Sequence, residues 1–171
     1  NAAFVADRYG VPNAAFSTDT ANTLSYLRSA GVDLGLNGFS LSYWFKGSVH
    51  NNSVFIRTPY GNVRSGESNR HAVGSHLVNV DNTNGSTIRN GNWHHVAITY
   101  EPNTAQGLRS YLNGQQIQTA ATGTTNSPGL DSLVIVAINT FGSRGTFDDL
   151  YLFGRVLDST EIVRLYNEAL V

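Results

Sequence analysis

The chain contains no cysteine and no methionine. That excludes disulfide staples, thiol catalysis and thiolate-bound zinc. Lysine occurs once, at Lys46, against ten arginines. Charge nearly cancels, with 11 basic and 12 acidic side chains for a formal net charge of −1. A chain so close to neutrality has no field to gather nucleic acid or an anionic membrane, and neither is expected as a partner. No apolar run approaches the roughly 20 residues that span a bilayer. No leader peptide is visible and Asn1 is not an initiator, so the chain reads as a mature or excised piece. Little lysine and no oxidisable sulfur suit a secreted, extracellular protein. Strong helix formers are scarce except near the C-terminus.

What is present points to strands. A chain of 171 residues reads as one domain, 1–171, able to bury a core without staples. Aromatic and β-branched residues are common, and glycine, asparagine, serine and threonine divide the chain into short segments. The stretch Trp93 to Gly114 is the clearest. Val96, Ile98 and Tyr100 alternate with His95, Ala97 and Thr99. After a loop from Glu101 to Gly107, Leu108, Ser110 and Leu112 alternate with Arg109, Tyr111 and Asn113. Asn113-Gly114 then signals a tight hairpin, because both residues tolerate positive φ. The return strand Gln115 to Thr119 completes a meander, which needs a second layer over its apolar face. The expected class is all-β.

Further strands follow from the same alternation. Phe39, Leu41, Tyr43 and Phe45 share one face of a strand, with Ser40, Ser42, Trp44 and Lys46 on the other. Short strands are expected at Ala2 to Val5, Ala14 to Ser17, Leu24 to Leu27, Ser53 to Thr58 and His76 to Val80. Leu133 to Ile138 is wholly apolar, as in a strand covered on both sides. Phe147 to Phe153 is the last long strand. Pro59 to Gly74 is polar and reads as a long loop with a binding composition. Asp158-Ser159-Thr160-Glu161 reads as a helix start, with Ser159 or Asp158 as N-cap. Ile162, Leu165, Tyr166 and Ala169 then fall at helical spacing.

Four of these stretches together carry a resemblance. Trp93-His94-His95-Val96-Ala97-Ile98-Thr99-Tyr100, Tyr111-Leu112-Asn113-Gly114, Phe147 to Leu157 and the helix from Ser159 resemble the laminin-G-like jelly rolls of the concanavalin A-like lectin/glucanase superfamily, to which pentraxins belong. Asp7 to Ala14 resembles the loop ahead of that family's first long strands. The resemblance implies a two-sheet antiparallel β-sandwich with a short C-terminal helix, one face of it concave. Members bind carbohydrate or protein, and a related branch hydrolyses glycans.

Hydrolysis needs paired carboxylates, about 5 Å apart in a retaining enzyme. The adjacent Asp148 and Asp149 alternate along a strand and are expected to point to opposite faces. Glu67, Glu101, Glu161 and Glu168 are isolated. A polysaccharide lyase would need a Tyr/His pair with a neutralising Arg or Asn, and His95, Tyr111, Arg57 and His76 supply residue types for it. The resemblance also implies a structural Ca²⁺ with Asp149 or Asp148 as ligand and Asp7 or Asn13 as partners. The alternative reading is that these aspartates cap a sheet edge or accept from backbone amides. For carbohydrate, the candidates are Trp44, Arg57, Tyr60, Arg64, Arg70, His71, His95, Arg109 and Tyr111. Indole stacks on sugar rings, and guanidinium and imidazole bond hydroxyl or acidic groups. Core packing and solvated surface positions explain the same residues.

The expected function is a non-catalytic carbohydrate-binding module, monomeric and appended to a larger secreted polysaccharide-active enzyme. The ten arginines favour an anionic polysaccharide or oligosaccharide. A protein-binding adhesion domain of the laminin-G type and a small lyase are the alternatives.

Overall fold

A computed structural model describes residues 3–17, 25–30, 37–47, 54–58, 61–67, 70–73, 76–79, 87–123, 132–137 and 145–168. For 25–30, 54–58, 61–67 and 132–137 the description is of the backbone. Two antiparallel sheets carry the chain. One holds seven strands in the order β1-β2-β13-β4-β9-β10-β11 and the other six in the order β3-β12-β5-β6-β7-β8. The strands of the first are β1 (Ala3–Val5), β2 (Ala15–Ser17), β4 (Phe39–Lys46), β9 (Trp93–Tyr100), β10 (Leu108–Leu112), β11 (Gln115–Ala120) and β13 (Thr146–Phe153). Those of the second are β3 (Ser25–Ala30), β5 (Val54–Thr58), β6 (Gly61–Glu67), β7 (Arg70–Val73), β8 (His76–Asn79) and β12 (Ser132–Ala137). Among the described residues one helix, α1 (Ser159–Asn167), follows β13. This is the expected sandwich.

The alternation read from sequence decides what is buried. Phe39, Leu41, Tyr43 and Phe45 of β4 join Val96, Ile98 and Tyr100 of β9, Leu108 and Leu112 of β10, and Phe147 of β13. Val73 and Val78 from the second sheet complete that core between the layers. Each such side chain contributes roughly 1.5–3 kcal/mol by leaving water. Asn113 (φ 50) and Gly114 (φ 76) form the hairpin turn between β10 and β11. Residues 59–74 are not one loop. The hairpin β6–β7, with Val63 opposite Val73, occupies most of that stretch.

The other face of the seven-stranded sheet has its own cover. Leu157 and Ile162 pack on Ala97 and Tyr111, with Phe153 and Leu165 alongside. Asp158 caps α1 by accepting from the Glu161 amide at 2.9 Å, and the Glu161 carboxylate accepts from the Asp158 amide at 3.0 Å. Ser40 fixes the approach to the helix. Its hydroxyl donates to the Arg155 carbonyl and accepts from the Leu157 amide, at 2.9 and 2.8 Å. Among the described residues no helix is long and apolar enough to cross a membrane.

Candidate functional site

The helix lies on the face of β4, β9 and β10 that carries Trp44, His95 and Tyr111. Tyr166 stacks on Trp44 with ring centres 5.7 Å apart and planes at 21°, and lies 5.9 Å from His95. His95 and Tyr111 are buried and Trp44 half-buried. The His95 ring shares a 2.8 Å hydrogen bond with the Ser42 hydroxyl, and burial with nearby Arg8 lowers its pKa to about 4. These three candidates for sugar contact pack beneath α1. The lyase pair meets the same cover. His95 and Tyr111 lie beneath α1, while His76 sits on the opposite sheet and accepts from the Gly123 amide at 3.2 Å.

His71 is likewise enclosed. It is buried on β7, and burial pushes its pKa down to about 3, so its ring is inside the protein. Arg70, one residue earlier, is exposed. Arg109 reaches Glu101 at 3.4 Å. Arg57 and Arg64 occupy register positions opposite Asn62 and Phe55 in the β5–β6 hairpin. Tyr60 lies outside the described residues.

The aspartates behave differently from a regular strand. Asp148 pairs with Trp44 and Tyr151 with Ser42 across β4, so two residues, Asp149 and Leu150, oppose Tyr43 alone. This is a β-bulge, and Asp149 takes φ 42 within it. The extra residue resets the alternation. Phe147, Leu150 and Leu152 face the core between the sheets, while Phe153 packs on the helix side. Asp148 and Asp149 therefore do not point to opposite faces. Both carboxylates meet the guanidinium of Arg8, Asp148 at 3.2 Å and Asp149 in a shorter contact.

Arg8 is held by the turn that Asp7 builds. One carboxylate oxygen of Asp7 accepts from the amides of Tyr9 and Val11, each at 2.8 Å. From that turn the Arg8 amide donates to Asp148 at 3.2 Å. The other guanidinium nitrogen donates to the Tyr9 hydroxyl at 2.7 Å and to the Glu168 carbonyl at 3.1 Å. The guanidinium also lies 4.6 Å from the centre of the Trp44 ring and 4.4 Å from that of Tyr9. Burial works to lower the Arg8 pKa, but the bond and charge of Asp149 more than offset it and the result is raised. Asp148 is raised, chiefly by burial, against the bonds from Arg8.

The outer rim of this cluster is aromatic. Tyr9 is 47% exposed and Tyr151 is 41% exposed. The Tyr151 hydroxyl makes no hydrogen bond among the described residues, and burial with the charges of Asp149 and Glu168 raises its pKa. It is a phenol donor at neutral pH. Two solvent-facing rings thus border a carboxylate and a guanidinium. The sequence reading missed Arg8, Tyr9 and Tyr151. The signal available was the three-residue gap from Phe147 to Leu150, which breaks a period of two.

The calcium donors do not fit as they stand. Asp148 accepts from Arg8 and from the Asp149 amide, Asp149 accepts from Arg8, and Asp7 accepts from two amides. One buried oxygen of Asp7 has no partner among the described residues. Asn13 is exposed in a turn at φ 60. Ca²⁺ takes about 6–8 oxygens, and among the described residues no three His, Asp or Glu side chains converge.

A two-sheet sandwich with a helix on one outer face is a lectin-type architecture. The chain belongs to the concanavalin A-like lectin/glucanases superfamily, whose laminin-G-type model matches residues 20–163. No match was found among curated proteins. Among solved structures, the binding domain of botulinum neurotoxin serotype G is similar with a TM-score of 0.62 and 16% identity, over 92% of this chain and 43% of that one. The binding domain of botulinum neurotoxin DC in complex with rat synaptotagmin II gives 0.53 and 18%, over 90% and 44%. A heptameric SAP-like pentraxin from Limulus polyphemus gives 0.55 and 13%, over 77% and 70%. The chain thus spans less than half the length of these toxin domains. At such identities the likeness is one of fold.

Proposed function

We propose that this domain is a non-catalytic binding module whose ligand is a carbohydrate, held on the rim formed by Tyr9, Tyr151 and the Arg8–Asp149 pair. The observation that carries the reading is the pair of exposed tyrosines beside a partly exposed carboxylate. Aromatic faces take the apolar side of a sugar ring, and phenol and carboxylate exchange hydrogen bonds with its hydroxyls. Such shallow contact gives modest affinity. Two carboxylates outnumber the single guanidinium here, which favours hydroxyl-rich neutral sugars over sulfated or acidic ones. Arg8, Arg109 and Arg155 each pair with carboxylates, so arginine number alone does not argue for an anionic polysaccharide. The module belongs outside the cell, as part of a longer polysaccharide-active protein. Its likeness to receptor-binding domains of toxins supports recognition rather than catalysis.

Affinity electrophoresis across neutral and acidic polysaccharides tests this. At least one neutral polysaccharide should retard the domain. Tyr9→Ala and Tyr151→Ala should each weaken retardation about tenfold, the equivalent of losing one stacking contact. If no polysaccharide binds, the carbohydrate reading falls. A protein ligand then takes its place, for which Phe4 and Val11, 66% and 52% exposed in the adjoining N-terminal segment, are the favoured contacts.

A further inference from the structure

We infer that the guanidinium of Arg8 is the resident cation of this domain and does the work a calcium ion would do at the same place. Four oxygens from three segments of the chain are directed at it. They are a carboxylate oxygen each from Asp148 and Asp149, the Tyr9 hydroxyl and the Glu168 main-chain carbonyl. Carboxylates, carbonyls and hydroxyls are the ligands a hard cation attracts. Here they surround a nitrogen fork. One nitrogen bridges the two carboxylates and the other takes the hydroxyl and the carbonyl. A planar cation with five fixed N–H donors satisfies several acceptors at once, which a flexible ammonium does not.

Burial and location support the assignment. The Arg8 side chain is 6% exposed, that of Asp148 2% and that of Asp149 15%. Two carboxylates this close and this shielded need a positive partner, because neither can shed its charge into water. The aromatic floor of Trp44 contributes a further cation contact. One nitrogen of the Arg8 guanidinium occupies the position between the two carboxylates. The clasp joins three segments, namely the N-terminal turn, the β13 bulge and the end of α1. Structural metals join distant segments in the same way.

The inference concerns the scaffold and holds whether the ligand is a sugar or a protein. Its test is read without any ligand. Thermal unfolding of the intact domain should give the same Tm in excess calcium chloride and in chelator. A rise in Tm with calcium overturns the inference. Arg8→Ala should lower Tm by about 10 °C, as expected for stranding a buried charge pair in a domain of this size. Calcium should then restore part of that loss in Arg8→Ala, because the oxygen cage is open. An unchanged Tm in Arg8→Ala, or no gain on adding calcium, counts against it. Should Arg8→Ala not fold, Arg8→Lys supplies a point charge in place of the fork. It should melt between the wild type and 10 °C below it, and a wild-type Tm for Arg8→Lys would overturn the role of the fork.

Discussion

Tyr166 stacks on Trp44, with ring centres 5.7 Å apart, and this contact helps close the outer face of the seven-stranded sheet. The face that carries Trp44, His95 and Tyr111 is roofed by α1. Removing the roof tile should show it. Tyr166→Ala is expected to cost about 2–3 kcal/mol through lost packing and stacking. The chain has two tryptophans, so a red shift in emission on this substitution reports the uncovering of Trp44. No shift and no loss in a urea titration would contradict the packing described.

Acid should unfold the domain through its buried histidines. His71 and His95 have pKa values lowered to about 3 and about 4 by burial, from the ordinary 6.5 that applies once the chain unfolds. Between those values the unfolded state binds more protons than the folded one. The stability from the neutral rings is therefore complete above pH 6.5 and is lost as pH falls toward 4 and then 3. With both rings contributing, the slope approaches about 2.7 kcal/mol per pH unit near pH 5. Urea midpoints from pH 7 to pH 4.5 measure it, and His95→Gln should roughly halve the slope. A flat profile would mean the rings are not held neutral inside.

Asn113 does more than turn the chain. Its side chain accepts from the His95 amide at 3.0 Å and donates toward the His94 ring at 3.2 Å, while its own amide donates to the His95 carbonyl at 2.8 Å. Asn113→Gly keeps the turn but loses the side-chain bonds, for about 1 kcal/mol. Asn113→Ala loses both and should cost more. Gly114→Ala adds a methyl 3.1 Å from the Tyr166 ring at φ 76, and should cost about 1–2 kcal/mol. Equal midpoints for these three variants in denaturant would refute the assignment.

The start of α1 gives a smaller effect. Asp158→Ala removes the side-chain acceptor of the Glu161 amide, leaves the main-chain bond to the Glu161 carboxylate, and should cost about 1 kcal/mol. Circular dichroism at 222 nm during thermal unfolding checks it. The change should not alter the tyrosine rim, so ligand binding should persist at temperatures where the variant is folded.

Much of the sandwich was legible because its rule is local. A period of two in β4, β9 and β10 assigns each side chain to a face, and Asn113-Gly114 and the Asp158 cap mark their own positions. The loop read at 59–74 shows where the rule weakens. Gly61, Gly66, Ser65 and Asn62 hide the β6–β7 alternation among turn-forming residues. The binding surface was less accessible still. Periodicity assigns Trp44 and Tyr111 to a polar-looking face, but it does not say that a later helix will lie there. The bulge at Asp149 reverses one phase and brings two aspartates together, and their cation comes from a residue 140 positions away. Pairing across such a separation is a property of topology and leaves no mark on neighbouring residues.

The bond from Arg8 to the Glu168 carbonyl has a topological consequence. The turn after β1 and the residue that follows α1 meet at one spot. Residues 160 positions apart are clasped there, so a change that loosens the Asp7 turn should also free the end of α1.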